Sequence, residues 1–187
     1  MSINTEAIEA KIASMDLYPG TDEVLYFDGF EVLIQVEQEC EDIFQIFGDC
    51  YGTLNGTSEN HGNTVRINTG RDLLDWTYPE DMQLNGENHK QWASYDKFIE
   101  ARKNLRARVE SYFQDEWTLT YVSLTLQYLG EKISYEALGG IESDCINECI
   151  IGNGMIDNLV SAAGGEYSRV AYSLRVKADN IEKLFAC

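Results

Sequence analysis

From Phe30 the chain alternates between apolar and polar positions. Phe30, Val32, Ile34 and Val36 fall in one phase, and Glu31, Leu33, Gln35, Glu37 and Glu39 fall in the other. That period of two predicts an antiparallel strand buried on one face and solvated on the other. The run Val24-Leu25-Tyr26-Phe27, joined to it by Asp28-Gly29, predicts the other arm of a hairpin. Upstream the period is helical: Ile8, Ile12 and Met15 form a stripe over 5–16, with Thr5 as the cap and Tyr18-Pro19-Gly20 as the stop. Downstream, Ile43, Phe44, Ile46, Phe47 and Tyr51 predict a third strand within 42–54, with a bulge or turn at Gly48-Asp49.

Residues 52–93 read differently. Gly52, Gly56, Gly62, Gly70 and Gly86 recur among Asn, Thr and Ser, which predicts a loop-rich stretch with one short strand at 64–68 and a helical turn near 72–76. Ser94 then caps the clearest helix, 94–114. Phe98, Ile99, Leu105, Val109, Tyr112 and Phe113 recur along it at helical spacing, and Lys97, Arg102, Lys103, Arg106 and Arg108 lie on its other face. A hairpin follows, with arms at 117–129 and 133–141 and a turn at Gly130-Glu131-Lys132; its first arm is apolar in both phases, as a central strand is. Ser143 is expected to cap a helix from Asp144 that breaks at Gly152-Asn153-Gly154. Gly164-Gly165 reads as a terminator, and a last helix from Glu166 turns Val170, Leu174, Ile181, Leu184 and Phe185 to the core. The pattern predicts an α+β fold: a mostly antiparallel sheet of four to six strands with helices packed on it. With no internal repeat and no Pro- or Ser-rich linker, it reads as one domain over 1–187.

Charge changes this picture. Residues 1–60 hold thirteen acids against one base, Lys11, in a chain of 187 residues whose net charge is -18. Such an excess opposes compaction by self-repulsion and points to a use outside folding. A pI of about 4.3 argues against direct binding of nucleic acid or of an anionic membrane and favours basic partners, metal ions or solubility alone. No apolar run approaches the ~20 residues of a membrane helix. The opening MSINTEAIEAKIASM lacks the basic and apolar segments of a secretory signal, so a cytoplasmic protein is expected, with Cys40, Cys50, Cys145, Cys149 and Cys187 as free thiols.

Alternate residues of a strand are about 6.8 Å apart. Glu37, Glu39 and Glu41 are therefore expected to form a row of carboxylates on a solvated edge, with further rows needed from Asp22, Glu23, Asp28, Asp42 and Asp49 and from Glu6 and Glu9. Glu31, Glu37, Glu39, Glu41, Asp42 and Asp49 are the candidate partner-binding residues, each standing where a phosphate would face Lys or Arg. DNA carries one phosphate per ~3.4 Å of axis on each strand, so a full imitation needs more than one such row. The competing reading is a sheet edge protected by charge.

No metal or cofactor is expected. The acids lack the spacing of a calcium hand. Cys145 and Cys149 read as small core residues, with His61 and His89 remote from them. The chain has no nucleophile elbow, no cysteine-protease signature and no phosphate-binding glycine loop. Hydrolysis by a pair of carboxylates within 52–92 stays open as an alternative. The basic helix face lies in a neighbourhood, 94–132, with six bases and six acids, so internal salt bridges are its expected role.

The stretch Asp115-Glu116-Trp117, the apolar strand after it and Leu138-Gly139-Gly140-Ile141-Glu142-Ser143-Asp144 resemble small acidic proteins of bacteriophages and mobile elements, as does Asp28-Gly29-Phe30-Glu31-Val32. The likeness covers about half of the chain, and Gly-Ile-Glu-Ser-Asp is its specific motif. It brings no catalytic residue with it. It implies a mobile-element origin, and such elements encode acidic proteins that block host defence nucleases by imitating DNA. The expected function is therefore a non-enzymatic protein of the host cytoplasm that binds a basic surface of a host nucleic-acid-binding protein, as an anti-CRISPR or anti-restriction factor does. The alternatives are a housekeeping or assembly protein whose charge serves solubility, and the carboxylate hydrolase.

Overall fold

A computed structural model describes residues 3–27, 29–39, 42–54, 62–84 and 87–185, with the backbone alone for 181–185. Asp28, Cys40, Glu41, His61 and Cys187, and the side chains of Ile181, Leu184 and Phe185, carry expectations above and lie outside what is described. The fold is α+β, with its strands in two antiparallel sheets. The chain packs as two compact units, one made of Met1–Glu39 with Thr120–Cys187 and the other of Cys40–Leu119.

The first unit begins with α1 (Thr5–Ala13), which buries Ile8 and Ile12. Its cap is Asn4 rather than Thr5: the Asn4 side chain accepts the Ala7 N–H at 3.1 Å. Strands β1 (Asp22–Phe27) and β2 (Phe30–Gln38) form the expected hairpin, with Phe27 opposite Phe30 and Gly29 at φ 87°. In β2, Phe30, Val32, Ile34 and Val36 are buried, as the alternation predicts. After the second unit the chain returns as β6 (Leu119–Tyr128) and β7 (Glu131–Glu142), turning through Leu129 and Gly130, both at positive φ. The sheet order is β1-β2-β6-β7. Helices α5 (Ile146–Gly152) and α6 (Met155–Phe185) complete the unit, and Asn147 ties α5 to α1 by donating to the carbonyls of Ile12 and Met15.

Helix α6 departs from expectation. It starts at Met155 and passes straight through Gly164-Gly165. Met155, Ile156, Leu159, Ala163 and Val170 are buried in the same core as β2 and β6, so tertiary packing overrides the weak helix propensity of two glycines.

The second unit replaces the predicted third strand with two short helical turns, α2 (Ile43–Ile46) and α3 (Gly48–Tyr51), followed by a two-residue strand, β3 (Thr53–Leu54). The spacing of Ile43, Phe47 and Tyr51 is helical, and the Asp42 carboxylate caps α2 by accepting the Phe44 N–H at 3.0 Å. The expected helical turn near 72–76 is a strand, β5 (Leu73–Thr77), paired with β4 (Thr64–Asn68) and with β3. Trp76, fully buried on β5, donates its indole N–H to the Tyr51 carbonyl at 2.7 Å.

Helix α4 (Tyr95–Phe113) keeps its Ser94 cap and covers this unit's core of Ile67, Trp76, Tyr78 and Val109. One of its expected surface bases is inside. Arg102 is buried, lies 3.8 Å over the Tyr78 ring and donates to the carbonyls of Met82 and Gly62. Arg106 bonds Glu110 and the Arg66 carbonyl. These two bases thus work inside their own unit on partners from beyond residue 60.

Candidate functional site

Opposed residues of an antiparallel pair point to the same side, so register decides which side chains share a face. On β2, Glu31, Leu33, Gln35 and Glu37 point away from the core. Opposite them on β1 stand Tyr26, Val24 and Asp22, in that order from Glu31 to Gln35. Opposite them on β6 stand Gln127, Thr125, Ser123 and Tyr121. The face is therefore both acidic and aromatic. Tyr26 is 73% exposed, and Asp22, Gln35 and Glu37 are also exposed. Strands β1, β2 and β6 hold four acids (Asp22, Glu23, Glu31, Glu37) and no Lys, Arg or His.

At one end Glu37 faces Tyr121, whose hydroxyl lies 2.7 Å from that of the exposed Tyr135 on β7. The hydrogen bond to Tyr135 is the main reason the Tyr121 phenol is held above its ordinary pKa, and the Glu37 charge adds to it. The Lys132 ammonium sits 4.1 Å over the Tyr135 ring, so an aromatic ring at this end already carries a cation.

The six predicted residues divide. Glu31 and Glu37 stand on this face, six positions apart and thus about 20 Å along the strand. Glu39 does not continue the row. Its two carboxylate oxygens accept the Gly140 N–H, each at 3.1 Å, tying the end of β2 to β7 across β6. Gly139 makes the approach possible, because a Cβ there would lie 2.4 Å from Glu39 Oε1. Asp42 is the cap of α2, in the second unit. Asp49 is in the same unit, on α3, and Glu41 lies outside the described residues.

Comparison of the chain with family models, with curated proteins and with solved structures finds no match. What the site does must be read from its own chemistry.

The sequence pattern pointed to the face through its carboxylates and passed over its tyrosines. Tyr26 and Tyr121 sit in the solvent phase of their strands, a signal open to reading once the pairing of β2 with β6 is known. In the second unit a cleft of about 600 Å³ is lined by Asp49, Glu80 and Asp81 with Thr77, Tyr78 and Gln83. All three acids are exposed, whereas acid–base hydrolysis needs one carboxyl taken out of water. Among the described residues no helix is long and apolar enough to cross a membrane.

Proposed function

We propose that this chain is a non-enzymatic protein that binds a basic surface of a partner protein through the acidic face of β1 and β2, bordered by Tyr121 of β6. The observation that supports this most is the make-up of that face: Asp22, Glu31 and Glu37 with Tyr26 and Tyr121, on three strands without a base. A carboxylate takes the charge of Lys or Arg, and a tyrosine ring takes the flat side of a guanidinium. Tyrosine is also enriched where proteins meet.

Three carboxylates, Glu31 and Glu37 about 20 Å apart on β2 with Asp22 opposite Gln35 between them, are too sparse to copy a phosphate row one for one. They suit separate arginines and lysines instead, such as those lining the groove of a nuclease that handles DNA. Inhibition of a host defence nuclease, which the mobile-element resemblance implies, is the form of this function we favour. Glu39 and Asp42 would act by holding the strands and turns of their own units in place.

The test is a quantitative pull-down from bacterial lysate, comparing the native chain with Asp22→Lys/Glu31→Lys/Glu37→Lys. The expected result is a set of basic, nucleic-acid-handling proteins held at low ionic strength, released at high ionic strength where such contacts are screened, and lost in the triple variant. Partners retained equally by both chains, or insensitive to salt, would overturn the reading and leave the charge a matter of solubility.

A further inference from the structure

Where β7 ends, the chain brings four metal-ligating side chains together within eight residues. The Glu142 and Asp144 carboxylates and Cys145 Sγ offer donor atoms that all lie within 4.8 Å of one another. Cys149, one helical turn along, adds a second thiol with its Sγ 3.5 Å from that of Cys145. Glu142, Cys145 and Cys149 are half-buried and Asp144 is exposed, so the group is anchored on one side and open to solvent on the other. All four belong to the first unit.

We propose that Glu142, Asp144, Cys145 and Cys149 form a binding site for a thiophilic divalent cation of the zinc class. Tetrahedral zinc has metal–sulfur bonds of about 2.3 Å and metal–oxygen bonds of about 2.0–2.2 Å, which place neighbouring donors roughly 3.3–3.8 Å apart. The sulfur pair is already at this separation; the donors of Glu142, Asp144 and Cys145, within 4.8 Å of one another, need a contraction of up to about 1 Å, and Cys149 joins them through Cys145. Two thiols exclude calcium and magnesium as the natural occupants, since both take oxygen donors.

The site is independent of the acidic face. Its effect is to fasten the end of β7 to α5, two residues beyond the Gly140 held by Glu39.

The experiment titrates cobalt(II) into the reduced full-length chain with Cys40, Cys50 and Cys187 changed to Ser. Expected are sulfur-to-cobalt charge-transfer absorption and the visible bands of tetrahedral cobalt, saturating at one equivalent and displaced by zinc. Glu142→Gln and Asp144→Asn are each expected to weaken binding by about tenfold or more. Absence of those bands, or an affinity unchanged in the two carboxylate variants, would overturn the site. A second measurement needs no substitution: zinc should protect Cys145 and Cys149 of the native chain from alkylation, read by mass spectrometry, and equal labelling with and without zinc would also overturn it.

Discussion

Glu39 shows how a single side chain can look like part of a binding surface and serve the fold instead. Glu39→Ala leaves the Gly140 N–H without its two carboxylate contacts. An unpaired, partly buried donor costs about 1–3 kcal/mol, and the loss should appear as a lower denaturant midpoint with partner binding retained. Glu39→Gln keeps an acceptor oxygen and should cost less than the alanine change. A Glu39→Ala chain that unfolds at the native midpoint would show that the contact holds nothing. The alternation of β2 continues in phase to Glu39, which the structure places one residue past the strand's end at Gln38. It did not reveal the partner 101 positions away, because nothing in a local period encodes the Gly139-Gly140 gap into which the carboxylate fits. Arg102 was misplaced for a different reason. Four residues after buried Phe98 and seven before buried Val109, it lies on the inward stripe of α4, where an arginine is unexpected; its burial is made possible by the carbonyls of Gly62 and Met82, supplied by loops whose course no periodicity fixes.

Elements with a strong period were legible and those decided by packing were not. Strand β2, helix α4 with its Ser94 cap and the break at 152–154 follow from residue order alone. The turns α2 and α3 were misread as a strand because their aromatic and β-branched residues favour strands, while their 43-47-51 spacing is helical. Helix α6 gives the sharpest test at this scale. A Cβ built at Gly164 or Gly165 meets nothing within 4 Å, and Gly164 borders an apolar cavity of about 340 Å³ with Phe30, Val160 and Tyr167. Alanine lowers the backbone entropy lost on folding without a clash, so Gly164→Ala and Gly165→Ala should each stabilise by about 0.5–1 kcal/mol. Thermal unfolding of the double variant checks this. A lower midpoint would mean that the helix needs its glycines, and that their reading as a break in the sequence had a physical basis.

For the whole molecule, the charge asymmetry was visible in composition, but the way the chain is divided was not. The second unit leaves and rejoins the first without a linker of distinctive composition, between two strands that pair across eighty intervening residues. Gln38 and Thr120 are opposed in that pair, so the two ends of the inserted segment lie about 5 Å apart. The first unit also has its own core, running from Ile8 and Ile12 through Val32, Ile34, Leu124 and Leu126 to Ile156 and Leu159. Joining Glu39 to Leu119 through Asn-Gly should therefore close β2 and β6 as an ordinary hairpin and leave a chain that unfolds cooperatively. This shortened protein keeps eighteen of the acids and six of the bases, together with Asp22, Glu31, Glu37, Tyr26 and Tyr121, and lacks Glu41, Asp42 and Asp49. If the sheet face is the binding surface, the shortened chain captures the same salt-sensitive partners as the native one. If it folds, as judged by near-ultraviolet circular dichroism, and captures none of them, the second unit is needed for binding and the sheet face is not sufficient.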